Sequence, residues 1–446
     1  MEQLRNPGRA LNKILKFLDG WHWLILTLAA PLLLFPAPGR ILALGVVPGL
    51  WLLAWLTGRK PPLPRTPFNL ALLLLALMLL IGLWASNDLS ASLPKISGLL
   101  LGFGIFFAVS RESARLGWSV ALFLALGLGV AALGLLGANW FDDKILALNA
   151  LTARLPKLIS GLQGAESGFH PNEVAGALLW VLPLIISLGL AGLAAPTKTN
   201  AQKIILAAFW LMVAFVSLIF LLSQSRSSYL GLLIALTLML LIALPVHLRR
   251  WALAAGALLV AALLSQWNAL LDWFLDKASA NSALSLVTLE SRLEIWSRAL
   301  YGIQDFPLTG MGMNTFRSIS RVYYPFFQLS PNFNFGHAHN EFLQAALDLG
   351  LPGLVAFLAL YILAFWMLAE AWKAARYLPS ARFSLFTDYY SLILGLGGGL
   401  LAHLLYGLTD AVALGAKPGL LFWFLLGLIA ALYAQITSLA PETSHD

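Results

Sequence analysis

The sequence predicts an all-α integral membrane protein with about twelve transmembrane helices, both termini in the cytoplasm, and one large, partly helical periplasmic loop. Three observations predict it. Hydrophobic residues make up 60% of the 446 residues and charged residues 11%, whereas a soluble domain carries about 25% charged residues; the mean hydropathy is +0.82. Apolar runs recur at roughly 20 residues, the length that crosses about 30 Å of hydrocarbon. Basic residues are concentrated in alternate connections between those runs.

In chain order the runs lie at 21–37, 40–57, 68–85, 96–109, 116–138, 172–194, 203–222, 228–246, 251–267, 340–368, 388–408 and 418–438. Three regions follow: 1–267, with nine spans and a loop near 139–171; 268–339, the long loop; and 340–438, with the last three spans. Arg5, Arg9, Lys13 and Lys16 precede the first run in the manner of a signal peptide. No small-residue cleavage site follows them, so an uncleaved first helix is expected.

With the N-terminus in the cytoplasm, sixteen basic residues fall on inside segments and only Arg40, Lys95, Arg226 and Lys417 on short outside connections. The net charge of +8 is thereby assigned to the anionic inner leaflet, with no nucleic-acid partner needed. The chain has no cysteine, which removes disulfides, thiolate nucleophiles and cysteine metal sites. In the long loop Leu289, Leu293, Trp296 and Leu300 recur at helical spacing, with Glu290, Glu294 and Arg298 elsewhere on the wheel. An amphipathic helix on the outer membrane surface, or capping the bundle, is expected there.

Four polar clusters fall at the same outer depth: GFHPNEVAG at 168–176, SQSRSSYL at 223–230, ESRLEIW at 290–296 and GHAHNE at 336–341. Arg226 lies in a short connection between two spans. A snorkelling arginine is the plain explanation, but the serines and Gln224 around it suit a phosphate or pyrophosphate. Asn340 and Glu341 read as a helix cap and first-turn acid, and Asn172 and Glu173 read the same way. Capping does not account for His337 and His339; a neutral imidazole takes a proton from a hydroxyl near pH 7. Arg292, a turn before Trp296, is either a solvated face or a second phosphate contact. The aromatic run YYPFFQLSPNFNF at 323–335 suits interface anchoring, sugar stacking or cover for a lipid tail equally.

No nucleotide-binding glycine pattern, Asp-x-Asp pair or paired outer carboxylates occur. His337 and His339 lack the carboxylate spacing of a metal site, so no metal and no cofactor is expected. Asp142, Asp143, Asp305 and Asp410 sit in no matching catalytic context.

His339, Asn340, Gly350 and Gly353 match a His-Asn, nine residues, Gly, two residues, Gly pattern, and Arg226 with Leu230 match Arg, three residues, Leu. With the order of arginine motif, long loop and histidine motif, roughly residues 165–410 resemble the O-antigen ligase and O-antigen polymerase superfamily. The resemblance implies metal-free, inverting transfer of a glycan from a polyprenyl (undecaprenyl) pyrophosphate donor to an acceptor hydroxyl at the periplasmic face of a bacterial inner membrane. It implies a lipid A core acceptor in ligases, another lipid-linked unit in polymerases and a protein hydroxyl in some relatives. It makes His339 the general base, Arg226 the pyrophosphate ligand and Arg292 a candidate second pyrophosphate contact; the polar clusters around them add His337, Asn340, His170 and Trp296 as candidate substrate-binding residues. A transporter or flippase is the competing class; it would favour ionisable residues in mid-span and discontinuous helices in paired halves.

Overall fold

The computed structural model describes residues 63–439 except 141–145, 162–167, 195–198, 267–285, 330–334, 379–387 and the single positions 112, 156, 160 and 413; before residue 63 it describes only isolated positions. The spans expected at 21–37 and 40–57 lie outside the described residues.

The described residues are predominantly helical, with no strand among them and one isolated bridge, Ala138 to Phe169. Helices α1 (Asn69–Ala85), α2 (Leu89–Ser110) and α3 (Leu116–Gly137) lead into the short α4 (Leu146–Thr152). Asp88 caps α2 by accepting from the Ala91 N–H, supplying a partner for an otherwise orphaned donor. Helices α5 (Pro171–Leu179) and α6 (Leu182–Ala194) follow one another as an apolar pair bent by 44° at a short break. Next come α7 (Asn200–Leu222), opened by a Thr199–Gln202 capping box, then α8 (Arg226–Ala243) and α9 (Val246–Ser265). The long loop contributes α10 (Leu286–Asp305) and α11 (Phe316–Tyr323), and the chain closes with α12 (Glu341–Ala375), α13 (Tyr389–Gly407) and α14 (Leu420–Leu439).

Among the described residues, seven helical segments are long and apolar enough to cross a membrane, or eight when the bent α5–α6 pair counts as one span. This makes the chain a multi-pass membrane protein. Helix α1, at 17 residues, is a shorter apolar helix. Helix α9 starts before the run expected at 251–267, takes in His247, Arg249 and Arg250, and is not among the seven.

Helix α13 is central: it packs against α8 on one side and α6 on another, while α2 pairs with α14 and α1 with α12. Small residues permit this, as expected where lipid supplies no hydrophobic drive between helices. A Cβ at Gly231 of α8 would run into the Ala402 carbonyl of α13, and one at Gly399 into the Trp180 backbone.

Helix α12 is interrupted at Gly350, whose φ of 70° and ψ of 175° lie in a region essentially reserved for glycine. The opened backbone is not left bare. Leu347 O accepts from Met311 N–H at 2.7 Å and Leu351 N–H donates to Pro307 O at 2.7 Å. Gly310 and Gly312 also have positive φ, so the 307–315 segment folds tightly into the break. Asp348 fastens it by accepting from Asn314 N–H at 2.9 Å.

The amphipathic helix of the long loop is present as α10, but its apolar residues divide. Ile295 and Ala299 are buried together with Met311, Phe335 and Leu347 of α12, whereas Leu293 and Leu300 are about half exposed. The cause is Glu294: its carboxylate accepts from the N–H groups of Phe327, Gln328 and Leu329. That turns its own face, rather than the leucine stripe, toward the protein. Burial alone would raise the Glu294 pKa; those backbone bonds and the Arg298 charge lower it below the usual value.

Candidate active site

One end of the bundle gathers the N-termini of α5, α8 and α12, the C-terminus of α13, and α10. His339 lies in the turn before α12, with φ of +48°. Among the described residues only Gln224 and Asn314 share positive φ without being glycine. Backbone strain of this kind persists only where surrounding contacts enforce it. Here they are plain. The His339 N–H donates to His337 Nδ1 at 3.1 Å, the His339 carbonyl accepts from Trp296 Nε1 at 3.2 Å, and Asn340 caps α12 by accepting from the Phe342 and Leu343 N–H groups. The Asn340 amide also donates to Leu408 O at 2.9 Å, tying the motif to α13.

Asp410, just beyond α13, is the hub. It is 1% exposed. Its carboxylate meets His339 Nδ1 at 3.3 Å, His337 Nε2 at 3.7 Å and Arg292 at 3.5 Å, and accepts from Asn172 Nδ2 at 2.7 Å and Ala411 N–H at 3.0 Å. Burial alone would raise its pKa; the hydrogen bond to His339, the two imidazoles and the Arg292 guanidinium outweigh burial and hold it well below the usual carboxylate range. Asp410 is therefore a carboxylate, and its nearest ring partner, His339 Nδ1, carries the proton. Nε2 of His339 is left with the lone pair, the arrangement of a base oriented by an acid. The sequence reading set Asp410 aside as lacking context. Its context is assembled across more than 70 residues of separation, which no local spacing reveals.

The same assembly corrects the view that His337 and His339 lack a carboxylate. With Asp410 they place three possible metal-binding atoms within 4.8 Å of one another. His337 Nδ1 accepts the His339 N–H, so the neutral ring bears its proton on Nε2, the atom that faces Asp410; a metal held at that position would have to displace that proton. Burial, and then the neighbouring His339, push the His337 imidazole down to about 3, so it stays a neutral donor.

Arg226 opens α8 and is exposed, and its guanidinium is close enough to that of Arg292 for the two to repel. The structure thus brings together the two arginines singled out from sequence. The serines around Arg226 do something other than expected. Ser223, Gln224, Ser225 and Ser228 are at most 1% exposed; Ser223 Oγ donates to Phe220 O at 2.6 Å, and the Ser225 and Ser228 hydroxyls pair at 2.9 Å. They build the turn that presents Arg226. His170, not Asn172, is the N-cap of α5, accepting from the Asn172 N–H at 3.3 Å. Asn172 instead reaches Asp410. His170 and His337 thus make the same local device, a ring nitrogen holding the N–H two residues on.

Two further residues have a partnership that the sequence does not show. Glu341 is not merely a first-turn acid: it meets His403 of α13. His403 is a histidine within an apolar span, a signal that intramembrane ionisable residues are seldom idle.

A multi-pass helical membrane protein with a histidine–carboxylate–arginine cluster at one end is the class that fold and site define. Residues 207–358 match the family model described as O-Antigen ligase. The matched segment contains Arg226, Arg292 and the whole His339 motif. Asn172 and Asp410 lie outside it. A comparison with curated proteins gives no match.

Proposed function

We propose that the protein transfers a glycan from a polyprenyl pyrophosphate donor to an acceptor hydroxyl, with the site on the periplasmic side of the inner membrane and lipid A core oligosaccharide as the acceptor. The observation that carries the proposal is the meeting of His339 and Arg292 on one buried carboxylate, Asp410. His339 takes the proton of the acceptor hydroxyl on Nε2, while Asp410 holds Nδ1–H and stabilises the imidazolium. The acceptor oxygen attacks the anomeric carbon, the bond from that carbon to the phosphate oxygen breaks, and the pyrophosphate leaves with the electron pair. In-line attack inverts the anomeric centre. Two guanidinium groups held close enough to repel gain from an anion between them, so Arg226 and Arg292 bind the pyrophosphate and stabilise its departure. His337, a neutral Nε2–H donor, and Trp296 fix the base. Asn340 and His170 cap the two helices that flank it, which makes them supports rather than substrate contacts. Every step uses side chains of this chain.

The test is reconstitution in vesicles with a polyprenyl pyrophosphate oligosaccharide and three acceptors in parallel: lipid A core, a second lipid-linked unit, and a serine-containing protein. Glycan on lipid A core is the expected product. Chain extension of the lipid-linked unit identifies a polymerase instead, glycosylated protein an oligosaccharyltransferase, and no transfer to any acceptor contradicts the proposal.

A further inference from the structure

The transfer chemistry above leaves one buried titratable pair unused. His403 of α13 is 0% exposed. Its Nδ1 lies 2.9 Å from Gly176 O of α5 and its Nε2 lies 3.0 Å from Glu341 Oε2 of α12. The indole of Trp180 stacks on it at 3.9 Å, 25° from parallel.

The proton positions follow from the partners. A carbonyl only accepts, so Nδ1 carries a hydrogen. The Nε2–Glu341 contact then holds one proton, on the ring or on the carboxyl. Either way the pair is electrically neutral, as a site away from water requires. Both ring nitrogens are committed, each to a different helix.

His403 is also the innermost rung of a ladder that ends at the site. One turn further along α13, Tyr406 donates to Asn172 O at 2.9 Å; Gly407 lies against Glu341, where a Cβ would meet Oε2; and Leu408 O accepts from Asn340. Asp410 is the outermost rung, holding Asn172 of α5 and His339 before α12. The same two helix starts that His403 clamps are those whose next residues must converge on Asp410.

We infer that His403 is a positioning residue for transfer: by locking α5 through Gly176 and α12 through Glu341, it sets the register in which His339 and Asn172 both reach Asp410. This rests on the function proposed above, and two readouts keep the failures apart. In the reconstituted reaction His403→Leu lowers kcat about a hundredfold, the scale expected for a misplacement near 1 Å, with the KM for donor unchanged. His403→Gln, which keeps one donor and one acceptor, recovers most of it. If His403→Leu does not accumulate as folded protein, Glu341→Ala, which unties α12 alone, is expected to lose kcat in the same way. Independently of transfer, ¹⁵N-histidine spectra should show the His339 ring resonance, assigned by its loss in His339→Ala, displaced in the Leu variant or its Glu341→Ala substitute and restored in the Gln variant. Wild-type kcat in a folded His403→Leu or Glu341→Ala protein, failure of Gln to restore it, or a His339 resonance indifferent to these changes overturns the inference. A wild-type protein inert toward all acceptors, with His339 still displaced, contradicts the proposed transfer and leaves the positioning role standing.

Discussion

Asp410 collects two histidines, an arginine, an asparagine amide and a backbone N–H, and a carboxylate so surrounded orients its partners more than it reacts. Asp410→Asn keeps the shape and removes the charge, so the imidazolium formed on His339 loses its stabilising partner and the Nδ1–H tautomer its acceptor. A loss in kcat of about 10²–10⁴-fold is expected in steady-state transfer, with little change in the KM for donor; an unaltered kcat would mean that Asp410 only braces the fold. His337 carries a stability signature. Its folded-state pKa is pushed down to about 3, below the unfolded value of about 6.5, so between these values the unfolded chain binds the extra proton and stability rises with pH. The contribution is complete above about pH 6.5 and is lost as pH falls toward 3. Melting temperatures of the purified protein should therefore drop from pH 7 to pH 4, and less steeply in His337→Gln. Equal slopes in the two proteins would place the buried neutral histidine elsewhere.

At the scale of elements, the glycine of the histidine motif has a conformational cause. Gly350 stops the first turns of α12 so that Leu347 O and Leu351 N–H turn outward to the 307–315 segment. Chain from the long loop is thereby anchored beside the His339 turn. Gly350→Ala forces a side chain into a backbone region essentially reserved for glycine and against the Leu308 carbonyl. The cost is about 2 kcal/mol, read as a lower melting temperature in detergent; no change would mean that the break is not held as described. In sequence Gly350 stood out as a spaced glycine of the histidine motif; the break it makes is fixed by the 307–315 segment that folds into it. Asn340 was legible as a cap because capping is read from local sequence. Helix α10 was legible as a helix but not in its orientation, since the buried face is chosen by Glu294 and the backbone of residues 327–329, a contact that helical periodicity does not encode.

Across the whole molecule, hydropathy predicted an all-helical membrane chain, and eight of the twelve expected runs, counting the bent α5–α6 pair, are candidate spans among the described residues, because each such run carries its signal independently. The broken pair α5–α6 and the kinked α12 still read as single runs, since a bend leaves the apolar pattern intact. The site was half legible. Arg226, Arg292, His337 and His339 stand out as polar residues in an apolar chain, whereas Asn172, Asp410 and His403 gain their meaning only when α5, α12 and α13 are brought side by side. Orientation is open to direct measurement because the chain lacks cysteine. Cysteine at exposed Gly336 should react with a membrane-impermeant maleimide from the periplasmic side, and cysteine at exposed Gln202 should not; the reverse pattern would invert the assigned topology. The central claim is that His339 is the base and Arg226 the pyrophosphate ligand of a glycan transferase. Its most direct test compares wild type, His339→Ala and Arg226→Ala, each verified as folded and inserted, in the reconstituted transfer reaction. Product from the wild type and none from either variant is the predicted result; undiminished transfer by either variant would contradict the role assigned to that residue.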